Sequence, residues 1–387
     1  MTEKLFYKDS HLFAFRAVVL SCEKKADSLF QVVLDKTAFF PEGGGQQPDT
    51  GSIGEAAVSH VFEDDGFIFH VCDRYIEPGS ETSCSIDSEV RLRRMQNHSG
   101  EHVLSGLIYK NFGYNNVGFH MGERFMTIDF SGELSDADLE MIERRANEAV
   151  RKNIPVVAYY PTSDELEKTS YRSKLALTEN VRLVKIDGCD ICACCAPHVS
   201  RTGEIGMIKI LSSMRHRGGT RIEAVCGMDA LDHFRRKQEN AEEISALLSA
   251  KQDEIGCAVD RLLQLSEAQK TKIAALSMEC ASLIAESVAN TDGNICLFEH
   301  LLDEIAIREL VNILSEKSNG IAGVFSGDDQ SGYRFIIGSR KGDLRKYAGL
   351  INSGIEGKGG GSASMIQGRS YASAQIIREF FNAFKLN

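Results

Sequence analysis

The sequence predicts an α+β multidomain chain, and three observations carry that prediction: a strand-like alternation in the first ninety residues, a change to helical spacing at Arg91, and a proline-free helical run followed by a renewed α/β pattern. Four parts result. Residues 1–90 form a small β-barrel domain with a glycine motif, and 91–228 an α+β domain with candidate metal ligands. Residues 229–290 form a coiled-coil-like helical linker or hairpin, and 291–387 a C-terminal α/β domain with a Gly-Lys-Gly-Gly-Gly motif.

In the first part, stretches such as SLFQVVLDKTAFF alternate apolar with polar residues and are broken by Gly, Pro and Asp. Phe40-Pro41-Glu42-Gly43-Gly44-Gly45-Gln46 reads as a tight loop. In the second part Met95, His98, His102, Ser105 and Ile108 fall on one helix, with Gly113 as its C-cap. Ser135 is the N-cap of a second helix. Between 231 and 289 there is no proline and one glycine, Gly256. Ile244, Leu248, Ile255, Leu262, Leu265, Ile273 and Leu276 mark an apolar seam, interrupted by Lys251 and Gln269. That seam serves either a homodimer or a helix pair packed within its own chain.

Hydrophobic residues at 43% and charged residues at 26% are globular values and exclude a wholly disordered or fibrous chain. No apolar run approaches the ~18 residues of a membrane span, and the N-terminus mixes charges into its apolar stretch, unlike a signal peptide. The expectation is a soluble, cytoplasmic protein whose eleven cysteines are thiols or metal ligands. A net charge of −11 argues against indiscriminate coating of nucleic acid. From Ser331 onward, however, nine Lys/Arg face three acids, which leaves this tail able to meet a polyanion.

Two His/Cys spacings point to a metal. His98 and His102 stand four apart on a helix, so both imidazoles reach one ion, and Cys194 and His198 repeat the interval across Pro197. Three imidazoles and a thiolate suit Zn2+. Two other arrangements compete. Cys189, Cys192, Cys194 and Cys195 would make a closed, cramped four-thiolate site. His98-Ser-Gly-Glu101-His102 also spells HxxEH, the motif of a zinc metallopeptidase with Glu101 as base. That arrangement needs a further acidic ligand, for which Glu140 and Glu143 are available.

Five motifs then occur in register: Phe40 to Gln46 with Asp49-x-Gly51, Gln96-Asn97-His98-x-x-x-His102, Gly118-Phe119-His120-Met121-Gly122, Cys194-x-x-x-His198, and Arg201-Thr-Gly-Glu-Ile-Gly206. Over residues 1–225 they resemble the alanyl-tRNA editing proteins of the AlaX group, which are similar to the editing region of alanyl-tRNA synthetase. The tail with Gly357 to Gly361 resembles the C-terminal domain of that synthetase, so the resemblance is to the long form of the group.

The resemblance implies an editing domain at 91–228 and a hydrolase acting in trans, with no room in 387 residues for an aminoacylation core. Its implied substrates are seryl-tRNA(Ala) and glycyl-tRNA(Ala). It implies one Zn2+ per chain on His98, His102, Cys194 and His198. Thr37 matches the position facing the amino-acid side chain, and Gln46, Gln96 and His120 are further polar site candidates. Gly43, Gly44 and Gly45 would let backbone approach the terminal adenosine, and Gly359, Gly360 and Gly361 would meet tRNA. The group usually carries Gly-Gly-Thr where this chain has Cys195-Ala196-Pro197, and often Gln where it has Glu101. A catalytically silent tRNA-binding module with structural zinc is the remaining alternative.

Overall fold

Six strands open the chain: β1 (Ala14–Ala26), β2 (Leu29–Leu34), β3 (Gly51–Ile53), β4 (Ala56–Asp64), β5 (Phe67–Cys72) and β6 (Glu81–Ile86). In the computed structural model, which describes residues 1–26, 28–173 and 181–386, they close into a barrel in the order β1-β2-β5-β4-β3-β6. Alternation sets the inward face, where Val19, Val32, Leu34, Ile53, Val61 and Ile68 are buried. Asp65 and Gly66, both at positive φ, make the two-residue turn between β4 and β5. Phe39 and Phe40 close the core from the segment that follows Thr37.

Helix α1 (Ser88–Phe112) starts where the Asp87 side chain accepts from Val90 N at 3.1 Å and ends at Gly113 with φ 73°. Its middle is buried although much of it is polar, because other elements enclose it. There follow β7 (Asn116–Met121), β8 (Met126–Phe130), α2 (Asp136–Arg151), β9 (Val156–Tyr159) and the short α3 (Ser163–Lys168). Next come β10 (Leu183–Ile186), β11 (Asp190–Ala193), β12 (Ile208–His216) and β13 (Gly219–Cys226). Ser135 and Asp138 form a reciprocal cap on α2. Sheet β12-β13-β8-β7 packs on α1 and α2 through Met95, Leu104, Ile128, Ile142 and Ile222.

The antiparallel sheet β9-β10-β11 brings its hairpin against α1. Gly106 permits this approach: a Cβ there would stand 2.5 Å from both the Cys189 carbonyl oxygen and Asp190 Cβ. All these elements belong to one unit, Met1–Asn240.

The second unit is Ala241–Asn387. Helix α4 (Gly227–Leu248) runs into it, and α5 (Ile255–Ser287), β14 (Ile295–Phe298), α6 (Glu304–Lys317), β15 (Ala322–Asp328) and β16 (Gly332–Gly338) follow. The chain continues with α7 (Ala348–Gly354), β17 (Gly357–Gly361), β18 (Met365–Ser370) and α8 (Ala374–Ala383). The sheet order is β14-β15-β16-β18-β17. Strand alternation gives it two apolar faces: Val324 and Ile336 pack on α5 and α6, while Phe325, Phe335 and Ile337 pack on Phe381 of α8.

The glycine motif 357–361 is thus an edge strand paired with β18. The apolar seam falls on α4 and α5, but Ile244, Leu262, Leu265, Ile273 and Leu276 are exposed. That excludes tight packing of the seam within the chain. Among the described residues the molecule is α+β, with several sheets and eight helices, and no helix is long and apolar enough to cross a membrane.

Candidate metal centre

Helical periodicity puts His98 and His102 on one side of α1, with rings 5.5 Å apart. The segment leaving β11 delivers Cys194 and His198 to the same place. The four ligand atoms lie within 4.8 Å of one another. Cys194 Sγ stands 3.5 Å from His98 Nε2 and 3.3 Å from His198 Nε2. A tetrahedral ion with ordinary Zn–N and Zn–S bonds separates its ligand atoms by roughly 3.3–3.7 Å. The two sulfur–nitrogen distances match that spacing, and the donor set suits such an ion in type.

At two of the three imidazoles the outer nitrogen carries the proton. His98 Nδ1 donates to Gln46 Oε1 at 2.9 Å, and His102 Nδ1 to Asp190 Oδ2 at 2.9 Å. His198 Nδ1 meets Ser99 Oγ at 3.1 Å. At His98 and His102 this leaves Nε2 as the atom turned to the grouped ligands, as in histidines that hold a metal. Burial alone would raise the Cys194 thiol, but His98 and His198 beside it hold it well below its usual range. The thiolate is the ligand form.

Two ion pairs support the centre from outside the ligand set. Asp190 is buried and also takes both arms of Arg172, at 2.7 Å each. Burial works against its charge, yet hydrogen bonds from His102 and Arg172 hold its carboxyl below the usual range. Arg91 and Asp49, neither exposed, form a buried pair in which Nε lies 3.0 and 2.9 Å from the two carboxylate oxygens. Arg91 also donates to the carbonyls of Ser10 at 3.0 Å and Ala38 at 2.6 Å. Asp49 accepts from Phe40 N at 2.7 Å. The first turn of α1 is thereby tied to both ends of the Phe40–Gln46 loop. In sequence Asp49 stands in the Asp49-x-Gly51 motif, whereas Arg91, within Arg-Leu-Arg-Arg, carries no local mark of its partner.

The loop is a hairpin turn closed by Gly43 N to Gln46 O at 3.1 Å and Gln46 N to Gly43 O at 3.0 Å. Gly44 and Gly45 take φ of 60° and 84°. A Cβ on Gly45 would come within 2.7 Å of Phe119, and one on Gly44 about 4.0 Å from His98 Cε1. The turn thus covers His98. Gln46 is 3% exposed, and its Nε2 has no hydrogen-bond partner, a buried donor left open beside the ligands.

The other expected site residues are placed elsewhere. The Thr37 hydroxyl meets His70 Nε2 at 2.9 Å and accepts from Phe39 N at 3.1 Å. His70 Nδ1 donates to Val32 O at 3.1 Å, so Nε2 is the acceptor and Thr37 the donor. Burial pushes His70 down to about 4, which keeps this ring neutral. Gln96 Nε2 donates to Glu204 O at 2.8 Å, and its Oε1 receives Met228 N at 3.4 Å. His120 is exposed on β7, opposite Thr127. None of these three is among the four grouped ligands.

The competing metal arrangements do not form. The four cysteines do not gather: among the described residues the second candidate group is His102, Asp190 and Cys192, and Arg172 already neutralises its carboxylate. Glu101 Oε1 accepts from Ser105 and Asn116, both at 2.5 Å. Glu143 is held by Lys209 at 2.8 Å and Ile210 N at 2.7 Å, and Glu140 pairs with Arg144 in solvent. Among the described residues no acidic third ligand of the HxxEH kind reaches the site.

Replacing Asp190 by Asn should weaken metal binding about 10- to 100-fold, because His102 loses the carboxylate that orients and enriches it. Competition against a colorimetric chelator measures this, and an unchanged affinity would show that Asp190 serves only Arg172.

Two family models match parts of the chain. Residues 181–223, which carry Cys194 and His198, match the threonyl and alanyl tRNA synthetase second additional domain, and residues 3–90 match class II (A) tRNA synthetases. More particularly, the chain is similar to alanyl-tRNA editing proteins and to archaeal alanine–tRNA ligases over most of its length. An editing protein of Xenopus laevis is 27% identical across 91% of this chain and 87% of that protein. One of Danio rerio is 26% identical across 94% and 92%. The alanine–tRNA ligase of Methanopyrus kandleri is 29% identical across 95% of this chain but only 42% of the ligase. The chain thus spans less than half of that ligase and most of each editing protein.

Proposed function

We propose that this chain is a zinc-dependent aminoacyl-tRNA deacylase that removes serine, and glycine, from mischarged tRNA(Ala). The observation that carries this reading is the convergence of His98, His102, Cys194 and His198, each imidazole backed on its outer nitrogen. The names of the editing relatives support the substrate class. An aminoacyl ester is already activated, so a positioned water and charge stabilisation at the carbonyl suffice. Bound Zn2+, one per chain, supplies Lewis acidity or a hold on the substrate amine.

In this reading Gln46 uses its two ends differently. Oε1 fixes the His98 tautomer, and the unpartnered Nε2 donates to an oxygen of the substrate. A site that hydrogen-bonds the seryl hydroxyl rejects alanine, which lacks it, by ~10⁴–10⁵, so this device selects the seryl ester and gives the glycyl ester no advantage. Thr37 contributes through position: its proton is on His70, so it sets the course of Phe39 and Phe40 into the glycine turn. Gln96 fastens α1 to the segment after Cys226, while exposed His120 faces the RNA. Backbone at Gly43–Gly45 approaches the terminal adenosine. The β17 edge at Gly359–Gly361 meets the tRNA backbone, and the exposed α4–α5 seam joins a second copy in the cytoplasm.

The test is deacylation of matched seryl-, glycyl- and alanyl-tRNA(Ala) by protein assayed for metal. Release of serine with the alanyl ester intact is expected. A seryl ester as durable with the zinc-loaded protein as without it would end the proposal.

A further inference from the structure

One turn before His98 on the same helix, α1 borders a cavity of about 290 Å³ that the metal centre does not use. Its wall includes Gln47, which continues the glycine turn beyond Gln46, so the cavity adjoins the candidate centre. Apolar side chains of Met121, Phe125 and Met126 line another side.

The charges around it are unequally matched. Arg93 is fully engaged by Asp229 and Asp232, at 2.8 Å each. The remaining Asp229 oxygen takes Asn97 Nδ2 at 2.6 Å. Glu123, on the rim, is exposed. Arg94 is different. Its side chain is only 18% exposed, and its hydrogen bond goes to the Pro48 carbonyl, a neutral acceptor. The nearest carboxylate, Asp49 at 4.0 Å, is already neutralised by Arg91. Burial lowers the Arg94 guanidinium below its usual range despite Asp49, as expected of a cation without a matching anion. A guanidinium fork lining a cavity with most of its N–H donors uncommitted suits a phosphate.

The geometry points to a subsite for the terminal nucleotide of an RNA 3′ end, with its 5′-phosphate on Arg94 and its base against Phe125 and the two methionines. This rests on the deacylase reading, because an ester carbonyl at the metal centre fixes where the rest of that nucleotide lies. Four residues of helix separate Arg94 from His98 by ~6 Å, about the width of one ribose between its 3′-ester and its 5′-phosphate. The cavity volume suits a single nucleoside.

A binding cycle tests it with the full-length protein. The probes are an uncharged tRNA(Ala) acceptor hairpin and the same hairpin with its last phosphodiester replaced by a neutral methylphosphonate. The wild type should lose about tenfold in affinity for the neutral linkage, and its salt slope should fall by about one. Arg94→Ala should bind both probes alike, at the weakened level, and Arg94→Lys should recover part of the loss. Equal wild-type affinity for the two hairpins, a reading that needs no variant to fold, would overturn the proposal. So would an undiminished linkage penalty in Arg94→Ala. Because the RNA is uncharged, a stable seryl ester would defeat the deacylase reading while leaving this cycle to stand. Conversely, serine release with equal binding of both probes would defeat the subsite alone.

Discussion

Cys194→Ala should empty the metal centre, whereas Cys195→Ala should leave it filled. Cys194 is the sole anionic ligand, and its sulfur lies 3.3 to 3.5 Å from two of the imidazoles. Structural zinc sites bind with ~10–16 kcal/mol, so one of four ligands is worth about 3 kcal/mol, or roughly a hundredfold in affinity. Losing the thiolate costs at least this, because three neutral imidazoles then face the dication alone. Cys195 is the immediate neighbour but is not in the grouped set, so its loss leaves all four donors in place. Metal content after dialysis against a chelator of matched strength, with serine release followed in parallel, measures both variants. A Cys194→Ala protein that retains its metal as firmly as the wild type would show that the sulfur is a bystander.

Sequence spacing exposes some parts of this centre and conceals others, for physical reasons. The two i, i+4 pairs are legible because a helix or a tight turn converts that interval directly into a shared face, whatever surrounds it. Arg91, Arg172 and Asp190 are not, because each becomes meaningful only through a partner 42 or 18 residues away. Asp190 in sequence is merely the residue after Cys189. What brings it to His102 is the absence of a side chain at Gly106, which lets the β10–β11 hairpin approach α1.

The barrel strands show in their alternation, and helix ends in Gly113 and Ser135, because both signals are local. The Thr37 partner is hidden from the sequence, because only the folded barrel supplies His70, 33 residues away, to accept from its hydroxyl. The pairing of 357–361 is hidden likewise, because the sheet supplies β18 and makes these glycines an edge strand.

Breaking the Arg91–Asp49 pair should be the most damaging change outside the ligands. Neither side chain reaches solvent, so removing the guanidinium leaves a carboxylate with no water to accept it. Such losses cost about 3–5 kcal/mol, whereas replacing both partners by apolar residues of similar volume is often close to neutral. Arg91→Met should therefore destabilise the first unit by that amount, and Arg91→Met with Asp49→Leu should recover much of it. The recovery is incomplete because the Arg91 bonds to the Ser10 and Ala38 carbonyls, and the Asp49 bond from Phe40 N, are lost as well. Two units make a single unfolding curve ambiguous, so hydrogen exchange of the barrel strands and α1 is the fitting measurement. A single variant within about 1 kcal/mol of wild type would mean that water enters the pair readily. The functional consequence follows from connectivity. Asp49 anchors the loop that carries Gln46 to His98, so a variant that still folds should hold its metal less well even though no ligand has changed.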